Sequence, residues 1–212
     1  MENPVIIFGA GPEGIAAMEA FEQNSVIVYG FLDDVESNKG KEIGTVTVLG
    51  SPDDDGFLKL IGKKCEAFVA TEDIKLKKHL VEMLKERRNV IPVNCLHQRA
   101  YVSTGSELGH GNYLAPGAVL HPQVKIGSYC SINANAQVEA GAKMGDYCTL
   151  GAGALIGRGT ELADGVFVGS GAVIISGLSI GKNARIGAGS VVISPVPAGK
   201  TFFGNPAVEW NK

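Results

Sequence analysis

The chain has 212 residues, 29 of them glycine, and a formal net charge of −3. Nine glycines lie in residues 1–101 and 20 in residues 102–212, whereas 12 of the 19 Lys/Arg and 16 of the 22 Asp/Glu precede residue 102, so composition implies two domains of about 100 residues each. No stretch reaches the ~20 apolar residues of a membrane span, no basic block marks a nucleic-acid surface, and the four cysteines form no CxxC pair, which points to a reducing cytoplasm rather than a disulfide or zinc framework.

Val5–Phe8 reads as a short buried strand, followed by Gly9-Ala10-Gly11-Pro12-Glu13-Gly14 and a helix to about Gln23. This is GxGxxG spacing between strand and helix, where bare backbone can approach a phosphate at the helix N-terminus. Val26–Phe31 is expected to be a second strand, running into Leu32-Asp33-Asp34, with Asp33 and Asp34 near the position of a ribose-binding acid. Ala67–Ala70 and Val90–Val93 read as further strands. Ile74–Glu86 reads as a helix whose Lys75, Lys77, Lys78, Lys85, Arg87 and Arg88 form a solvated face. Only about 95 residues are available, half of a full dinucleotide fold, so residues 1–95 suit a mononucleotide or nucleotide sugar better than NAD. A tight glycine turn without a ligand is the competing reading.

From Val102 every sixth residue is aliphatic or Met, through Leu108, Leu114 and so on to Val192, sixteen consecutive times. The following residue is usually small, as in Gly109, Gly127, Gly145 and Gly151, and the fifth of each hexad is small or β-branched, as in Ala118, Cys130 and Cys148. Neither a helix nor an alternating strand has this period. A parallel β-helix does: each hexad makes one side of a triangular coil with the aliphatic residue inside, and 18 residues complete a coil. Residues 18 apart then stack about 4.8 Å apart, which sets Cys130 over Cys148 as small core-lining thiols. Phe202, Phe203 and Trp210 are expected to cap the last coil.

The GxGxxG loop, the Gly30–Asp34 segment, the hexads and the closing Gly204-Asn205-Pro206-Ala207 together resemble the sialic-acid O-acetyltransferases and UDP-4-amino-sugar N-acetyltransferases of bacterial glycan synthesis. The resemblance covers nearly the whole chain. It implies an α/β Rossmann-like half domain over residues 1–95, holding a nucleotide-linked sugar, and a left-handed parallel β-helix with a C-terminal cap over 102–212. It also implies acetyl-CoA as co-substrate, no metal, a homotrimer, and acetyl-CoA lying near Ser170, Gly187 and Ala188. Gly9, Gly11, Gly14, Asp33 and Asp34 are the implied sugar-nucleotide residues.

The chain departs from that family at one corner. Within Ile132–Gly141 the family reads Ile-Asn-x-x-Ala-x-Val-(Asp/Glu)-His-Asp, with the histidine as general base; here that position is Ala140, preceded by Glu139. One coil further, Arg158 stands where the family has a small residue, which makes it a candidate for pairing with an anionic substrate group. Of the four histidines, His79 and His97 lie in the first half and the connector and His110 falls in another column. His121 is one coil before Glu139, the arrangement of an oriented base, or else a corner-packing residue. The histidine spacing supplies no three-histidine zinc cage. Three functions therefore stand side by side: an acyltransferase on a nucleotide-linked amino sugar assisted by Glu139 or His121, a catalytically impaired homologue acting as a nucleotide-sugar-binding or scaffold trimer, or a related transferase with a different acyl donor or acceptor, in which Arg158 pairs with an anionic substrate group.

Overall fold

A computed structural model describes residues 3–210, and the chain divides into two compact units at residues 98/99. In the first unit, β1 (Val5–Phe8) has all four residues buried. It is flanked on both edges by parallel partners, β2 (Val28–Leu32) and β5 (Glu66–Val69). A strand enclosed on every side must be apolar on both faces, which is why Val-Ile-Ile-Phe runs without alternation. Helix α1 (Pro12–Gln23) follows β1. β3 (Glu42–Ile43) and β4 (Val46–Gly50) form a hairpin that extends the sheet to the order β3-β4-β2-β1-β5. A short α2 (Asp55–Leu58) precedes β5, and α3 (Ile74–Arg88) begins at Asp73, whose carboxylate accepts the Lys75 and Leu76 N–H groups, and ends at Asn89 in the left-handed conformation, φ 53°.

Three expectations are corrected here. The second strand begins at Val28, not Val26, because Val26 N–H still closes the end of α1 on Phe21 O. Val90–Val93 is not a strand: Pro92 has no N–H to offer, and only Val93 N–H reaches the sheet, at Ala67 O. Lys77 is buried rather than part of a solvated face, and Arg88 is half-buried with its guanidinium on Lys59 O and Ile61 O.

The second unit is the parallel β-helix, left-handed as the resemblance implied. Its two-residue strands stack in register 18 residues apart on three faces. Face one carries Tyr101–Val102, Val119–Leu120, Gln137–Val138, Leu155–Ile156, Val173–Ile174 and Val191–Val192. Face two runs from Glu107–Leu108 to Ser179–Ile180 and face three from Tyr113–Leu114 to Arg185–Ile186, closed by Thr201–Gly204 and its antiparallel partner Ala207–Glu209. Fourteen of the sixteen hexad aliphatics are buried; Val102 and Leu108, in the first strands of their faces, are half-buried. Each buried aliphatic side chain contributes roughly 1.5–3 kcal/mol, and the same contribution repeats at every side of every coil.

The glycines divide into two groups. At every sixth position from residue 105 to residue 189 the backbone takes a positive φ, so this is where each coil bends. Ten of those fifteen positions are glycine and five are Gln123, Tyr129, Asn135, Tyr147 and Asn183. The glycines that follow the inward aliphatic, such as Gly127, Gly151 and Gly169, have ordinary φ but no room: a Cβ there would lie under 3.0 Å from the backbone of the next coil. Among the described residues no helix is long and apolar enough to cross a membrane.

Candidate active site

The Gly-rich loop separates packing from ligand approach. Gly9 has φ +107°, and a Cβ on it would collide with Ala70 O; a Cβ on Gly14 would collide with Gly9 O. Tight backbone packing of loop, helix and neighbouring strand therefore explains both. Gly11 is different, since a Cβ there would meet only the Glu13 carboxylate, at 3.7 Å. Packing does not require its bareness. Gly11 is the N-cap of α1 with no side-chain cap, and the N–H groups of Gly11, Glu13 and Gly14 have no hydrogen-bond partner among the described residues. Unpartnered donors at a helix N-terminus attract an anion.

Gly9, Gly11, Asp33 and Asp34 line one cavity of about 130 Å³, with Glu13, Pro52 and Thr71 on its other walls. Asp33 does not offer its carboxylate to that space. Oδ2 accepts Ala10 N–H at 2.7 Å, and Oδ1 accepts Val35 N–H at 2.9 Å and Asn38 Nδ2 at 3.1 Å. The side chain thus braces the Gly-rich loop against the turn after β2. Asp34 is exposed and makes no such bond. The bracing by Asn38 had no sequence signal, because a short 3-10 turn at Glu36–Asn38 brings that side chain round.

Each coil of the β-helix turns three corners, and these differ in what they do with their outward N–H groups. After face two the corner is closed by side chains of the next coil: Ser128 N–H donates to Asp146 Oδ1 at 2.7 Å, and Asp146 N–H to Asp164 Oδ1 at 3.1 Å. After face three it is open. Ala134, Ala152, Ser170 and Ala188 stack there 18 apart, their N–H groups have no partner among the described residues, and the last three are exposed. Phe203 lies against Gly187 at the top of this corner, in the space a Cβ would fill. An extended chain bearing amide and carbonyl groups could lie along such an edge with its oxygens on those donors.

The corner after face one stacks His121-Pro122, Glu139-Ala140, Gly157-Arg158 and Ile175-Ser176. Neighbouring coils meet there through Gly141 N–H on Pro122 O and Gly159 N–H on Ala140 O, both at 3.1 Å. Glu139 Oε2 accepts the Arg158 N–H at 3.0 Å, so the structure joins Glu139 to Arg158. It does not join Glu139 to His121, whose side chain makes no hydrogen bond among the described residues. The corner has no histidine–carboxylate pair. Among the described residues there is also no cluster of three or more metal-ligating side chains.

Residues 123–158 and 159–194 match the family model described as bacterial transferase hexapeptide (six repeats). No curated protein sequence matches the chain. Among solved structures, a histidine-to-alanine mutant of GDP-perosamine N-acetyltransferase from Caulobacter crescentus, in complex with CoA and GDP-perosamine, is 27% identical over 100% of this chain and 99% of its own, with a TM-score of 0.91. WeeI from Acinetobacter baumannii is 27% identical over 98% of this chain and 99% of its own, with a TM-score of 0.86. The acetyltransferase domain of PglB from Neisseria gonorrhoeae shares the fold at 22% identity, over 99% of this chain and 100% of its own, with a TM-score of 0.90. The repeat region thus matches a bacterial transferase family model, and the chain over its whole length is similar in structure to sugar-nucleotide acetyltransferases.

Proposed function

We propose that this chain is an acetyl-CoA-dependent N-acetyltransferase acting on a nucleotide-linked amino sugar in bacterial glycan synthesis, in the cytoplasm. The observation that carries the reading is its whole-chain likeness to an enzyme holding CoA and GDP-perosamine, joined to a Gly-rich loop whose Gly11 is bare for no packing reason. The sugar nucleotide's phosphates sit on the Gly11, Glu13 and Gly14 N–H groups, with Gly9 shaping the loop. Asp34 meets the ribose or sugar while Asp33 keeps the loop in place. Acetyl-CoA supplies the activated acetyl group, and its extended arm lies along Ser170, Gly187 and Ala188, where small side chains leave the backbone accessible.

The acceptor is an amine rather than an alcohol. At the corner where the resembling family carries its base, this chain has Ala140, which takes no proton. Glu139 is turned to the Arg158 N–H, and His121 is not oriented by it. A hydroxyl needs a general base, an aid worth roughly 10²–10⁴-fold. A neutral amine attacks a thioester without one.

A homotrimer is supported by the outward side chains of face one. Tyr101, Val119, Leu155, Val173 and Val191 make that surface apolar, broken only by Gln137, while face two is laced with Glu107–Lys125 and Lys143–Glu161 ion pairs. The decisive experiment is coenzyme A release from acetyl-CoA with GDP-perosamine and with a UDP-linked 4-amino sugar as acceptors. Release above background with either is expected. Ala140 favours a second reading, a catalytically impaired homologue that binds sugar nucleotide as a scaffold. Thermal stabilisation by the sugar nucleotide, with none by acetyl-CoA and no coenzyme release, would establish that reading instead.

A further inference from the structure

Among the described cations of residues 102–210, all but one have a partner. Lys125, Lys143, Lys182 and Lys200 are ion-paired to Glu107, Glu161, Asp164 and Glu209, and Arg185 lies over the Phe167 ring at 4.5 Å. Arg158 is the exception. It is exposed, and its guanidinium makes no hydrogen bond, ion pair or ring contact among the described residues. Its backbone is nonetheless anchored, through its N–H to Glu139 Oε2 at 3.0 Å and the Gly159 N–H bond to Ala140 O at 3.1 Å. That anchoring holds the Glu139 carboxylate against the backbone and out of ion-pair distance of the guanidinium.

We propose that Arg158 replaces the missing base electrostatically: its unpaired guanidinium faces the acceptor amine and keeps it in the neutral, nucleophilic form. This rests on the preceding reading and adds that the acceptor amine meets the acetyl thioester at the Ala140 corner, the position at which the resembling family carries its base. An aliphatic amine with oxygen substituents nearby titrates near the α-amino value, roughly 8, and is mostly ammonium at pH 7. A fixed cation beside it disfavours that ammonium. The amine nitrogen then bonds to the thioester carbonyl carbon, the carbon–sulfur bond breaks, and the proton left on nitrogen passes to the departing thiolate, giving amide and thiol. No protein base enters the balance. The charged and titratable groups facing Arg158 are few: Glu139 one coil below and His121 two below. The coil above presents Ile175 and Ser176, and the next charge along its own turn, Glu161, is paired with Lys143.

Two measurements on the whole protein test the proposal. The first is calorimetry of GDP-perosamine or UDP-linked 4-amino-sugar binding at pH 7 in buffers of different ionisation enthalpy. The wild type should release close to one proton per acceptor bound, Arg158→Gln less than half of that, and Arg158→Lys most of it. The second is the pH profile of kcat. In Arg158→Gln its acidic limb should move up by about one pH unit, so that activity at pH 6 falls about fivefold while activity at pH 9 stays within about twofold. Equal proton release and parallel profiles would overturn the proposal. So would a uniform loss at every pH, which would make Arg158 a binding residue, or a preference for a carboxylate-bearing acyl donor that Arg158→Gln abolishes. Failure of the wild type to bind or use either acceptor would instead sink the acetyltransferase reading itself.

Discussion

Replacing the three glycines of the N-terminal loop one at a time by alanine separates their roles. Gly14→Ala should gain about 1 kcal/mol of helix propensity. It must also fit a methyl group under 3.0 Å from Gly9 O, and overpacking against backbone costs roughly 1–3 kcal/mol. A net loss of up to about 2 kcal/mol follows, or as much as roughly 15 °C in the unfolding midpoint of a domain of this size. Gly9→Ala should be at least as damaging, since it adds a positive φ to a collision with Ala70 O. Gly11→Ala is the informative variant. A Cβ there meets nothing nearer than 3.7 Å, a few tenths of a kcal/mol are lost at the N-cap, and about as much returns from the stiffer unfolded chain. Stability should hold within about 0.5 kcal/mol. Affinity should not: a methyl group at the loop's open face keeps a phosphate from the Gly11 N–H, and a hydrogen bond to a charged group is worth roughly 1.5–3 kcal/mol, or about 10–100-fold in Kd. Thermal unfolding together with titration of UDP and GDP measures both quantities. A Gly11→Ala protein of unchanged stability that binds nucleotide as the wild type does would reduce the loop to a packing device.

Three more outcomes follow from the same geometry. Ala140→His should leave coenzyme A release at neutral pH within about twofold, because the amine already attacks in its neutral form; a gain of about 10²-fold would show that the reaction lacks a base at that corner. The four cysteines form no disulfide and are buried, and desolvation pushes the Cys65 and Cys95 thiols up, so those two are protonated at pH 8. A thiol-disulfide reagent at pH 8 should label the native protein slowly and all four cysteines at once in denaturant, and rapid native labelling would contradict the burial. Leu155→Lys together with Val173→Lys should lower the sedimentation mass from trimer to monomer, and an unchanged mass would exclude face one as the subunit contact.

The β-helix was legible because its rule is local and repeated. One residue in six must point inward whatever surrounds it, and fourteen of sixteen do. The bends were less legible: five of the fifteen left-handed positions hold Gln, Tyr or Asn, so glycine spacing alone does not mark them. In the first unit, GxGxxG spacing identified the loop and put Asp33 near a ribose, yet the bracing by Asp33 could not be read, because its carboxylate binds the Ala10 N–H and backbone donors leave no trace in a pattern of side chains. The same limit governs the reaction corner. Counting by 18 gives Lys125, Lys143 and Lys182 an acid each, at Glu107, Glu161 and Asp164, and the ion pairs form as that count requires. The same count gives Arg158 only Ala140 and Ser176, so its want of a partner is written in the sequence. The bond that holds it is not: Glu139 lies 19 residues away and takes the backbone N–H. A charge without a partner can thus be predicted from the repeat. What keeps the nearest carboxylate from neutralising it takes coordinates to see, and on that separation the electrostatic role of Arg158 depends.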